Sequence, residues 1–158
     1  MGKKVFISYS SADFAIHLCS IFEAEGLGCW IAPRDIPYGS EWAGEITEAI
    51  EHSAVMIFIL TKNSNQSHQV VKEINTALQN NVTIIPIKLE EIKMNASLSY
   101  YLLNLHWLEL KDVEEEEEIR RLALRVKNYI MDTEEAAGHD VEPAEECADI
   151  PDEDWEKL

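Results

Sequence analysis

Residues 54–60 read AVMIFIL, an apolar run without a polar interruption. Its length suits a strand better than a helix, and a strand with no polar alternation is covered on both faces, as in a parallel sheet. Outward from it, residues 83–88 (TIIPIK) form another strand. Pro86 places that strand near a sheet edge or at a local break in the ladder. Residues 4–9 (KVFISY) supply the first strand, 28–31 (GCWI) a short one, and 106–110 (HWLEL) a brief fifth near an edge. Helical spacing fills the intervals. Residues 12–25 carry Ala15, Leu18, Cys19 and Phe22 on one face, with Ser11 as the cap and Gly26 as the stop. Ser40 is expected to cap a second helix with Ala43, Ile46, Thr47 and Ile50 inward. A third spans 67–80 (Val70, Val71, Ile74, Ala77, Leu78), a short one 97–103, and a last one 113–131. The alternation predicts an α/β fold: a doubly wound parallel sheet of five strands with right-handed crossovers.

Length and charge bound the rest. At 158 residues and 46% hydrophobic the chain is one domain with a real core. Its net charge of −17 argues against nucleic acid and an anionic membrane as partners, since phosphate selects basic stripes. The acid is concentrated: residues 132–158 hold 12 acidic residues and one Lys, a net of −11, against −6 for residues 1–131. The expected division is therefore a domain over 1–131 and an acidic, disordered tail or linker over 132–158. Three cysteines, Cys19, Cys29 and Cys147, in no ligand spacing support neither a disulfide framework nor a zinc site, so no metal is expected. They fit a reducing cytoplasm. The start, MGKKVFISYSS, is too short in apolar residues for a signal peptide, and Phe6 stands where N-myristoylation needs Ser or Thr. No apolar run reaches the length of a membrane span.

In an open α/β sheet ligands bind beyond the carboxyl ends of the strands. Segments 8–13, 32–40 and 61–73 converge there, and helix starts offer N–H groups to phosphates. The chain has no GxGxxG, no Walker loop and no GxSxG elbow, which disfavours Rossmann dehydrogenases, P-loop enzymes and α/β-hydrolases. Glu73 is a single acid on an apolar-rich helix directly after the third loop. Taken alone it also reads as a solvated helix residue beside Lys72.

Four segments, in order, resemble the Toll/interleukin-1 receptor (TIR) family in its bacterial, NAD+-cleaving form. VFISYSSAD (5–13) is similar to the first TIR box. GCWIAPRDIPYGSEWAGEITEAIEHS (28–53) resembles the second box and the long loop that follows it. SHQVVKEI (67–74) and IIPIKL (84–89) resemble the third-helix region and the strand after it. The likeness covers about residues 4–130 and implies a flavodoxin-like five-stranded parallel sheet flanked by helices.

The resemblance implies an enzyme that takes NAD+ as substrate, without a further cofactor, and breaks its nicotinamide–ribose bond, as a glycohydrolase or an ADP-ribosyl cyclase making a messenger. It places the catalytic carboxylate at Glu73. Breaking that bond develops oxocarbenium-like charge on the ribose, which a carboxylate stabilises. Substrate contacts are expected from Ser10, Ser11, Arg34, Asp35, Trp42 and Gln69. Ser11 equally serves as a helix cap, and Arg34 and Asp35 equally as solvated loop charges. Many NAD+-cleaving relatives carry W-x-x-x-E, whereas this chain reads QVVKE, with Gln69 one turn before Glu73 and hence on its face. Trp42 is the candidate to replace that ring in part. The resemblance further implies homo-oligomeric TIR–TIR assembly, an antiphage setting and a downstream effector that senses the product. The competing expectation is an adaptor that recruits partners through TIR–TIR contacts without catalysis.

Overall fold

The computed structural model describes residues 3–9, 12–62, 68–110 and 115–139. Five strands, β1 (Val5–Ser8), β2 (Cys29–Trp30), β3 (Val55–Leu60), β4 (Thr83–Lys88) and β5 (Leu108–Glu109), form one sheet in the order β2-β1-β3-β4-β5. Every pairing is parallel, with Val5 beside Cys29 and Val55, and Val55 beside Thr83. Five helices alternate with them: α1 (Ala12–Ala24), α2 (Trp42–Glu51), α3 (His68–Gln79), α4 (Ala96–Leu102) and α5 (Glu115–His139). The doubly wound sheet expected from the sequence is present, and its order reverses between β1 and β3, the switch point at which such sheets bind ligands.

All six residues of β3 are buried, as the unbroken apolar run requires. On one face Phe6, Met56, Phe58 and Leu60 pack with Ile46 and Ile50 of α2, Val70, Ile74 and Ala77 of α3, and Leu98 and Leu102 of α4. The alternate residues Val5, Ile7, Ile57 and Ile59 point the other way and are equally buried. α1 connects β1 outward to β2, whereas α2 to α4 connect strands running back across the sheet. Right-handed crossovers therefore put α1 on the opposite face.

Local chemistry sets the boundaries. α1 ends where Gly26 takes φ +90°, and Leu27 N–H returns to the Phe22 carbonyl at 3.1 Å. Asn81, at φ +58°, does the same for α3, with Val82 N–H on the Ala77 carbonyl at 2.9 Å. α4 begins one residue before the expected 97 because the Asn95 side chain accepts from Leu98 N–H at 2.9 Å.

Ser40 does not cap α2. The helix starts after Glu41, which makes no side-chain cap bond, while Ser40 N–H closes a turn onto the Pro37 carbonyl at 3.2 Å. Gly39 supplies the positive φ of +87° at the third position of that turn. The serine is committed to the turn and so lies outside the helix.

Pro86 lies in β4, one strand in from the edge. Thr83 and Leu89 donate toward β3, so by alternation the even positions of β4 face β5. β5 pairs only with Ile87 and Lys88, and the missing N–H of Pro86 falls just outside that short ladder.

The chain divides into two compact units, Met1–Leu124 and Arg125–Leu158. Of the second, residues 125–139 continue α5 beyond the expected end at 131. The rest of the acidic segment, from 140 on, lies outside the described residues.

Candidate active site

Phe6 and Ser8 occupy the same side of β1 by strand alternation, the side covered by α2 and α3. A serine in that position is 1% exposed and needs a partner. It finds one 65 positions away: Ser8 Oγ donates to Glu73 Oε1 at 2.7 Å. The other carboxylate oxygen, Oε2, accepts from Gln69 Nε2 at 3.2 Å, one turn earlier on α3. Glu73 is 8% exposed, so it is an interior carboxylate and not a solvated helix residue. Burial pushes its pKa above the ordinary range, while the hydrogen bonds from Ser8 and Gln69 pull the other way. Among the described residues no buried polar side-chain atom lacks a partner.

Glu73 and Gln69 open into a cleft of about 180 Å³ at the carboxyl ends of β1 and β2. Phe6, Ile7 and Tyr9 form its sheet side, Ala32 and Pro33 its loop side, and Trp42 and Ile46 its α2 side. Trp42, half-exposed in the first turn of α2, presents a ring at the mouth. Tyr9 donates its hydroxyl to the Ala32 carbonyl, tying the end of β1 to the loop, and the Ala32–Pro33 peptide is cis. Burial, and then the charge of Glu73, raises the Tyr9 pKa. This volume holds only part of a drug-sized ligand, for which pockets of about 300–1,000 Å³ are usual.

A larger depression of about 270 Å³ is lined by Lys3, Trp30, Glu45, Glu48, Ala49 and His52. Apart from Trp30, which stacks on Phe6 at 5.2 Å, and Ala49, its lining is polar and charged side chains. It contains no buried titratable group, whereas the smaller cleft holds the buried Glu73.

The structure thus brings together Glu73, Gln69 and Trp42. Arg34 and Asp35 are not among the residues lining the cleft. Asp35 accepts from Lys3 at 3.0 Å, from Arg34 at 2.8 Å and from the Ile31 N–H at 2.9 Å. Burial alone would raise its pKa, but these donors outweigh it and hold the carboxyl below its ordinary value. Arg34 forks onto Glu23 of α1 at 3.1 and 2.9 Å, reaches the Cys29 carbonyl at 2.9 Å and touches the Cys19 thiol at 3.5 Å. The pair ties the loop to α1 and β2. Ser10 and Ser11 lie outside the described residues. The sequence reading brought segments 8–13 and 32–40 to the site but gave Ser8, Tyr9, Ala32 and Pro33 no individual part. The signal for Ser8 was a hydroxyl at a buried strand position, one step in register from Phe6.

A profile of the TIR domain matches residues 5–123. No curated protein matches the chain at a significant level. Among solved structures, the TIR domain of the Toll-related receptor TRR-2 from Hydra magnipapillata superposes with a TM-score of 0.63 at 23% identity, over 83% of this chain and 98% of that one. A TIR-STING receptor from C. gigas, solved with 2',3'-cGAMP, gives 0.58 at 26% identity over 75% of this chain. The match spans 38% of that receptor's length. The RPS4 and RRS1 TIR heterodimer gives 0.56 at 16% identity, over 80% of this chain and 97% of that one. With a family match from β1 into α5, and a sheet in the order β2-β1-β3-β4-β5 carrying a cleft at the carboxyl ends of β1 and β2, this chain belongs to the TIR domain family.

Proposed function

We propose that this TIR domain consumes NAD+, breaking the bond between nicotinamide and ribose. The observation that carries the reading is Glu73: a buried carboxylate, held on both oxygens, facing a cleft at the carboxyl edge of the sheet. The C1′–N bond breaks with both electrons passing to the nicotinamide nitrogen, and nicotinamide leaves neutral. Positive charge develops on the ribose, and a fixed carboxylate stabilises it electrostatically. Water adding to C1′ with loss of a proton gives ADP-ribose. Attack by a nitrogen of the adenine of the same molecule gives a cyclic isomer. The cleft's volume suits the nicotinamide riboside end, with Trp42 as the aromatic wall at its mouth. Glu73 is the catalytic residue of this reading. Self-assembly completes the site from a neighbouring copy, and defence against phage through NAD+ loss or a messenger is the setting the resemblance suggests.

A second reading, a non-enzymatic adaptor, is favoured by two observations. Gln69 stands where the NAD+-cleaving pattern has Trp. Tyr38, at the tip of the 31–41 loop, is fully exposed and offers an apolar contact to a partner. The test is nicotinamide release and product mass from NAD+ at high protein concentration, for the native chain and Glu73→Ala. Release by the native chain alone supports the enzyme, and product mass separates hydrolysis from cyclisation. No release from either gives the adaptor reading the lead.

A further inference from the structure

The two oxygens of Glu73 are held unequally. Ser8 comes from a strand, is 1% exposed and donates at 2.7 Å. Gln69 comes from the solvent end of α3, is exposed, and donates at 3.2 Å through a flexible side chain. Short, buried, charge-assisted hydrogen bonds are the strong ones, and long, wet ones are easily exchanged. We infer that Ser8 is a positioning residue that permanently fixes Oε1 of Glu73, and that Gln69 is a placeholder on Oε2 which an incoming vicinal diol displaces. This deepens the NAD+ reading and rests on it. Oε2 is then the oxygen that meets substrate, and a sugar hydroxyl takes over the bond that Gln69 gives up. The Ser8 bond also opposes the upward pull of burial on the Glu73 pKa, and without it only Gln69 does so.

Among the described residues, the surroundings of Glu73 leave few other groups to do this. The titratable side chain sharing the cleft is Tyr9, whose hydroxyl is turned to the Ala32 carbonyl. α2 and the loop contribute Trp42, Ile46, Ala32 and Pro33, none of them charged. On α3 itself, His68 and Lys72 are exposed.

The test uses the full chain, with Ser8→Ala, Ser8→Thr and Gln69→Ala variants. The first readout needs no turnover: the Glu73 carboxyl titration followed by carbon-13 NMR. The second is kcat and KM for nicotinamide release from NAD+ across pH. Ser8→Ala moves the Glu73 midpoint, and with it the acid limb of kcat/KM, to higher pH, and lowers kcat at neutral pH about tenfold to a hundredfold. Ser8→Thr, which keeps the hydroxyl, restores the native midpoint. Gln69→Ala moves the midpoint less than Ser8→Ala does and lowers KM for NAD+, because no bond then has to be given up when substrate binds. A midpoint unmoved by Ser8→Ala overturns the inference. So does an equal displacement in Ser8→Ala and Ser8→Thr, or a larger effect from Gln69→Ala. If the native chain releases no nicotinamide, the NAD+ reading falls, and the titration still decides whether Ser8 holds Glu73.

Discussion

Glu73 works against the fold. Its pKa lies above the ordinary 4.5 because burial outweighs the Ser8 and Gln69 hydrogen bonds. A carboxyl that binds its proton more tightly when folded contributes stability that is fully present below pH 4.5 and is lost as pH rises through its folded value. Glu73→Gln keeps the shape and the bond from Ser8, and keeps the bond to Gln69 once that amide turns over to accept, while removing the charge. It is expected to stabilise the domain by about 1 kcal/mol at neutral pH, roughly 2–4 °C in melting temperature. Thermal unfolding at pH 7.5 and at pH 4 checks this, the gain being predicted to vanish at the lower pH. The residue itself was legible: a lone acid on an apolar-rich helix, in a segment that resembles a known family. Its hydroxyl partner was not, because a bond spanning 65 positions has no periodicity to announce it. Only the polar character of Ser8 in a strand that is otherwise apolar hinted at a partner.

At the scale of elements, the 31–41 loop is held by an ion-pair knot that includes Arg34 and Asp35, which in sequence read equally as substrate contacts or as loop charges. Charges in a loop at the carboxyl edge of a sheet look alike in sequence whether they face a ligand or their own backbone. Here Asp35 joins Lys3, Arg34 and the Ile31 N–H, and Arg34 joins Glu23. Asp35 is depressed below its ordinary 3.8, so its contribution is present above that pH and disappears as pH falls through the folded value. Asp35→Asn is expected to destabilise the domain by about 1–2 kcal/mol at pH 7, a modest figure because the Arg34 and Lys3 side chains are partly solvated. Urea unfolding at pH 7 and pH 3 measures it, with the difference shrinking at the lower pH. The same variant loosens Ala32 and Pro33, so KM for NAD+ rises several-fold while kcat changes less. The strands were the most legible elements, since an apolar run such as 55–60 admits little else, and Pro86 signalled a strand near an edge or a ladder break: β4 lies one strand in, with Pro86 just outside the short β5 ladder. The start of α2 was misread because Ser40 satisfies a turn as readily as a helix cap.

For the whole molecule, a parallel sheet buried on both faces makes β3 the center of stability. Phe58 is fully buried, meets Trp107 edge-on at 6.2 Å, and pairs in register with Ser8 and Pro86. Phe58→Ala is expected to cost about 3–5 kcal/mol, read from the urea midpoint at an unchanged slope. The fold class was legible because alternating strands and helices admit few topologies. The cleft was less so, since its walls come from four elements whose side chains meet only after folding. A net charge of −17 opposes self-association. If copies complete one another's sites, specific activity rises with protein concentration and with moderate salt, which screens that repulsion. Sedimentation and activity followed together over a dilution series check this, and Tyr38→Ala is predicted to lower both. The most direct test of the central claim is nicotinamide release from NAD+ by the native chain and by Glu73→Gln at equal, high concentration. The account predicts release by the native chain and a loss on the order of a hundredfold to a thousandfold in a variant that folds at least as stably. Equal release by both, or none from the native chain in its assembled form, contradicts it.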